Sequence, residues 1–179
     1  MVEASCGHWP SGWQMNVSWP AMDYVGVDVM PGVIEEDKQL LNEKEIARLG
    51  LKTMDFRVGD ITEDELPPAD LLLTKDTLIH FPNAAIEKFL AKQVDLKEPK
   101  YKYVMYVNDD PGKGEMMPRT VRERWEKDGH TNPDLQHFNQ FMPRDMSAPP
   151  FKLPVVTEFQ WLGGPGKKKL VQVQTLIPH

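Results

Sequence analysis

An α/β fold, built on an open, mostly parallel sheet and ending in an antiparallel hairpin, is predicted from three observations. Apolar runs of strand length recur from Val2 to Val107 and lack the polar-out alternation of half-exposed strands, as expected where both faces are covered. Segments with helical apolar spacing stand between several of these runs. Near the end, two further strand-like runs flank Gly163-Gly164-Pro165-Gly166, a glycine-rich connection that signals a hairpin.

The central element is Asp23-Tyr24-Val25-Gly26-Val27-Asp28-Val29, where apolar side chains run straight into a carboxylate. In nucleotide-binding α/β sheets, an acid at the tip of the second strand accepts hydrogen bonds from ribose hydroxyls. Asp28 is therefore a candidate ligand residue, and it points to a cofactor that contains adenosine.

Taken in order, Val2 to Cys6 forms a first short strand that runs into Gly7-His8-Trp9-Pro10-Ser11-Gly12. Glycines at both ends let backbone N–H groups approach a ligand closely. No Lys-Ser or Lys-Thr follows Gly12, which excludes a Walker loop, and the Gly-x-Gly-x-x-Gly spacing of a dinucleotide site is absent. After Asp28, Pro31 opens a helix traced by Val33, Ile34, Asp37, Leu40, Leu41 and Lys44, with Gly50 as its stop. A third strand, Thr53 to Val58, leads into Gly59-Asp60-Ile61-Thr62. That tetrapeptide reads either as a plain turn or, at the end of a parallel strand, as a place where Asp60 accepts from the exocyclic amine of an adenine. Ala69 to Thr74 is a fourth strand, with Lys75 and Asp76 at its carboxyl end, where open α/β sheets hold their ligands. Phe81-Pro82-Asn83 opens a helix carrying Ile86, Phe89, Leu90 and Val94, and Tyr103 to Val107 is the fifth strand.

Prolines and glycines then break the pattern from Asp109 to Pro150, and only Thr120 to Lys127 has helical spacing. Residues 111–150 are expected to be a loop-rich insertion or packed flap, since Trp125, His130, His137, Phe138 and Phe141 suit packing better than a linker. Pro154 to Leu162 and Lys169 to Leu176 form the hairpin, with Lys167-Lys168-Lys169 as its solvated tip. One domain spanning 1–179 is expected.

The totals narrow the function classes. With 179 residues, 40% hydrophobic and 27% charged, the chain has the composition of a folded globular domain. A net charge of −6 disfavours a large nucleic-acid footprint, and no apolar run has membrane-spanning length. A single cysteine, Cys6, allows no internal disulfide, and the first residues lack the pattern of a secretory signal, so a cytoplasmic setting is expected. His130 and His137 lack metal-ligand spacing, and no metal is expected.

Strands, loops and hairpin together resemble S-adenosylmethionine-dependent methyltransferases of the Rossmann-like (class I) type. Cys6-Gly7-His8-Trp9-Pro10-Ser11-Gly12 stands where that family has its glycine-rich first loop. Val25-Gly26-Val27-Asp28 resembles its second strand, Gly59-Asp60-Ile61 its adenine-contacting segment, and Asp70 to Asp76 with Leu78-Ile79-His80-Phe81-Pro82 its fourth strand and following loop. The resemblance implies a Rossmann-like sheet, S-adenosylmethionine as cofactor, and methyl transfer from the sulfonium by positioned in-line attack. It implies that Cys6, Gly7, His8 and Gly12 line the methionine moiety, Asp28 and Val29 the ribose, and Gly59, Asp60 and Ile61 the adenine. Lys75 and Asp76 would face the reacting centre. His80, with a pKa range suited to neutral proton transfer, is the candidate general base, against the alternative that it caps or packs beneath the next helix.

The Asn-Pro-Pro-aromatic, Pro-Cys and paired-glutamate motifs of base and arginine methylation are absent. A small molecule, a protein site or an RNA end remains as acceptor, and a membrane partner is not expected. Two departures motivate a second reading: bulky His8 and Trp9 follow Gly7, and no helix precedes the first strand, as in a truncated or short form. That reading is a catalytically degenerate, methyltransferase-like protein that acts by binding a partner. A third, a nicotinamide-dependent oxidoreductase, shares the ribose acid but lacks the glycine spacing.

Overall fold

The computed structural model describes residues 1–111, 123, 125–135, 141–164 and 167–177, with the backbone only for 159–164, 167 and 168. His137, Phe138 and much of the helix expected over Thr120 to Lys127 lie outside the described residues.

Among the described residues seven strands form one sheet: β1 (Val2–Ala4), β2 (Asp23–Asp28), β3 (Thr53–Val58), β4 (Ala69–Lys75), β5 (Tyr101–Asp109), β6 (Val156–Gly164) and β7 (Lys167–Thr175). Their order is β3-β2-β1-β4-β5-β7-β6. β1 to β5 are mutually parallel, and β7 pairs antiparallel with both β5 and β6. The predicted mostly parallel sheet with a C-terminal hairpin is thus the observed one. β3 has the expected limits and the other strands differ from theirs by one or two residues at one or both ends, since ladder hydrogen bonds rather than apolar side chains set where a strand stops.

The one helix expected between Pro31 and the stop at Gly50 is instead two, α1 (Pro31–Lys38) and α2 (Glu43–Leu49). Asn42 divides them: its side chain accepts from the Glu45 N–H at 3.0 Å and starts a new helix. Gly50 ends α2 at φ +85, and a Cβ there would stand 2.6 Å from the Trp19 carbonyl oxygen. α3 (Asn83–Gln93) follows the fourth strand as expected.

Two apolar layers enclose the sheet. On one face, Val2, Ala4, Val27, Leu72, Val104 and Tyr106 pack with Ile86 and Phe89 of α3. On the other, Cys6, Tyr24, Met54 and Phe56 pack with Ile34, Leu49 and Leu51. The crossover from β1 to β2 is unusual, since parallel neighbours are ordinarily joined through a helix. Here it holds two 3₁₀ turns, Trp9–Ser11 and Trp13–Asn16. Trp9, fully buried, fills the helix's place, with ring centroids 5.8 Å from Trp19, 4.7 Å from Tyr24 and 5.6 Å from Phe56.

The described part of 125–153 lies against this body. Met146 N–H donates to Gln172 Oε1 at 2.8 Å, and Asn132 Nδ2 donates to the carbonyls of Asp145, Ala148 and Pro149. The buried Arg144 guanidinium donates to Asn83 Oδ1 and to the carbonyls of Phe81 and Pro133.

Candidate functional site

The sequence-predicted residues converge at the carboxyl ends of β1 to β4. Asp28 is the junction. Its Oδ2 accepts from the Gly7 N–H and its Oδ1 from the Met30 N–H, both at 3.0 Å, while its own carbonyl accepts from the Gly59 N–H at 2.9 Å. One residue therefore ties together the ends of the first three strands. Ser5 and Gly7 adopt φ of 61 and 63, which turns the loop back over β2. Only at Gly7 is that conformation easy, and a Cβ there would meet nothing within 4 Å, so open space lies before it. Around the junction, Val29, Met30 and Val58 are 56%, 57% and 53% exposed, an apolar rim on an otherwise polar edge.

The other loop residues divide. His8 bridges Ser11 Oγ at 2.7 Å and Glu36 at 2.9 Å, at the border of the loop and α1. Gly12 closes the first 3₁₀ turn through its N–H to Trp9 O at 2.8 Å. Cys6 is buried, and burial pushes its thiol far up, so no thiolate forms at neutral pH and only its backbone faces the loop. Asp60 Oδ1 accepts from both the N–H and the hydroxyl of Thr62 at 2.8 Å, shaping the turn over 60–64. Ile61 is buried in the core beneath, and its carbonyl accepts from Gln93 Nε2 at 2.9 Å.

At the end of β4, Lys75 Nζ lies 2.5 Å from Asp76 Oδ2 and 5.6 Å from the Trp13 ring centroid. Asp76 sits at φ 56 and donates its N–H to Val107 O at 2.9 Å. Its Oδ1 accepts from Lys169, whose Nζ also stands 2.7 Å from Asp109 Oδ1. Burial pushes the Asp76 carboxyl up, but the Lys169 and Lys75 ammoniums outweigh it and hold the group below the usual carboxylate range. Asp76 is thus ionised and doubly paired, which suits orienting rather than accepting a proton. His80 ends a 3₁₀ turn, Leu78–His80, and stands exposed while Leu78 and Ile79 are buried.

Three residues escaped the sequence reading. Lys169 was expected in a solvated tip, yet its side chain is 11% exposed and joined to two carboxylates, because β7 places it opposite Asp109. Glu3, in mid-strand, is 2% exposed; burial pushes it up to about 7, against hydrogen bonds from Tyr24 and Gln14. Asp37 on α1 is also buried, accepts from the Trp9 N–H at 2.8 Å, and is pushed up to about 6 by burial. An acid inside an otherwise apolar strand was the available signal for Glu3.

Two clefts among the described residues, of about 350 Å³ at Glu65, Lys92 and Lys100 and about 180 Å³ at Met1, Asp23 and Asp70, lie toward the opposite, amino ends of the strands. Among the described residues no cluster of metal-ligating side chains occurs, and no helix is long and apolar enough to cross a membrane.

The strand order, with β7 reversed and a carboxylate at the tip of β2, defines a Rossmann-like sheet of the methyltransferase type. No family model and no curated protein matches the chain. Solved structures do match. Magnesium protoporphyrin IX methyltransferase (ChlM) from Synechocystis PCC 6803, with bound S-adenosylhomocysteine, aligns at a TM-score of 0.58 and 12% identity, over 96% of this chain and 72% of its own. Small RNA methyltransferase HEN1 aligns at 0.62 and 16%, over 97% of this chain and 22% of its own. An O-methyltransferase family 2 protein from Planctomyces limnophilus DSM 3776, in complex with apigenin, aligns at 0.58 and 13%, over 97% and 50%. The chain has the fold of the class I, S-adenosylmethionine-dependent methyltransferases.

Proposed function

We infer that the chain binds S-adenosylmethionine at the carboxyl ends of β1 to β3 and acts as a methyltransferase. The observation that carries this reading is the junction at Asp28, with open space before Gly7 and an exposed apolar rim beside it. The residues present fit the cofactor. A carboxylate has about four acceptor positions, so two backbone bonds leave Asp28 able to take ribose hydroxyls. Val29, Met30 and Val58 offer apolar contact to an adenine beside Gly59 and Asp60, and Gly7 brings backbone close to the methionine end.

When bound, S-adenosylmethionine supplies a methyl group already activated by a positive sulfur. The protein's part is then positioning. Lys75 and Asp76, locked by Lys169, would orient the acceptor without exchanging protons with it. His80, exposed on the turn after β4, would take a proton from an amine or hydroxyl acceptor. The acceptor class is a small molecule, a protein site or an RNA end; the names of the aligned structures include a porphyrin and a small RNA.

A binding module without catalysis is favoured by one observation, the burial of Trp9 where the family pattern places glycine. Titration calorimetry with S-adenosylmethionine, S-adenosylhomocysteine and NAD separates the readings. Binding of S-adenosylhomocysteine without a response to NAD is expected. Silence from both adenosylated ligands favours the module, and binding of NAD alone favours the oxidoreductase.

A further inference from the structure

The crossover from β1 to β2 holds two 3₁₀ turns in place of an α-helix, so side-chain contacts must hold the shape of its loop. Glu3 reaches it from the sheet. Tyr24 OH donates to Glu3 Oε2 at 2.6 Å, and Trp9 Nε1 donates to the same Tyr24 oxygen at 2.9 Å. Gln14 Nε2 lies 3.2 and 3.3 Å from the two Glu3 oxygens and donates to Cys6 O at 2.8 Å. The acid is thereby linked to the loop at two points, to Cys6 through Gln14 and to Trp9 through Tyr24. Asp37 completes the support from α1, accepting from the Trp9 N–H.

Resting on the reading of residues 6–12 as the cofactor loop, we propose that Glu3 is its positioning residue. Through Gln14 and the Tyr24–Trp9 pair, it holds the loop in the shape in which Gly7 presents its backbone to a ligand. Every contact to Glu3 in this network is a donor seeking an acceptor, so the ionised carboxylate grips the loop and the protonated acid grips it less. Charge-assisted hydrogen bonds are roughly twice as strong as neutral ones. Facing Glu3 are Tyr24, Lys75, Asp37 and the Cys6 thiol; facing Asp37 are His8, Asp28 and Glu36. With the acid pushed up to about 7 by burial, the exchange falls in the neutral range. Ligand affinity at the loop therefore rises with pH.

The test has two arms. Calorimetry with S-adenosylhomocysteine should show binding about three- to tenfold tighter near pH 8 than near pH 6, with the dependence lost in Glu3→Gln and weakened in Tyr24→Phe. Without ligand, tryptophan fluorescence should show a transition close to pH 7 that vanishes in Glu3→Gln and survives in His8→Gln. An unchanged pH dependence in Glu3→Gln, or a transition that follows His8, overturns the proposal. If no ligand binds at any pH, the functional reading falls and the fluorescence arm alone decides this one. Should Glu3→Gln not fold, Tyr24→Phe, which loses a single hydroxyl, carries both arms.

Discussion

At Asp28 one carboxylate serves the fold and the candidate site together, since the hydrogen bonds that hold the loops at Gly7 and Met30 also fix the orientation of its carboxylate. Asp28→Ala should weaken S-adenosylhomocysteine binding by about 1.5–3 kcal/mol, the range for hydrogen bonds to a charged group, and calorimetry on the folded variant measures it. An unchanged affinity sinks the ribose assignment. Because two backbone N–H groups lose their acceptor, urea unfolding should also report a lower midpoint. For His80, a turnover in His80→Ala equal to wild type would remove it as the base. Asp28 was legible because an acid at the end of an apolar strand is a local pattern. Lys169 was not, since nothing near it in the chain reveals that Asp76 and Asp109 lie within reach.

Among the elements, β1 carries a pH linkage that falls in the neutral range. Glu3 titrates near 7 in the folded chain against an ordinary value of 4.5, so the folded state keeps its proton longer than the unfolded one. Stability from this group is complete below the ordinary value and is lost as pH rises toward 7, by up to about 1.4 kcal/mol per pH unit. Asp76 has the opposite sign: its lowered value adds stability above the ordinary 3.8 that is lost as pH falls. Urea midpoints should therefore peak in mild acid and decline toward alkaline pH, and Glu3→Gln should flatten the decline. In the segment after β5, Arg144 is the clasp. Arg144→Met removes the guanidinium donor from the Phe81 and Pro133 carbonyls and from Asn83 Oδ1, at a cost of about 2–4 kcal/mol, with faster hydrogen exchange at Asn132, Met142 and position 144. The division of the helix after Asp28 could have been read from Asn42, a capping residue placed three before Glu45.

For the whole molecule, ligand binding and stability are one measurement. A ligand that binds only the folded chain, at about a hundred times its Kd, stabilises it by about 2.7 kcal/mol. For a chain of this length that is a rise in Tm of about 5–10 °C. S-adenosylhomocysteine should produce it and NAD should not; a rise with NAD alone would reverse the choice of cofactor. The succession of strands and loops along the chain, the mostly parallel sheet with its hairpin, and the acid at the tip of β2 were all legible in the amino-acid sequence. These follow from periodicity, turn residues and chain order, which are local. Only the folded chain reveals that Trp9 turns inward where a crossover helix would stand, that Glu3 and Asp37 are buried, and that Lys169 pairs with Asp76 and Asp109. Burial and charge pairing join residues as far apart as Asp76 and Lys169, and the free energy of such a contact depends on the fold that brings them together.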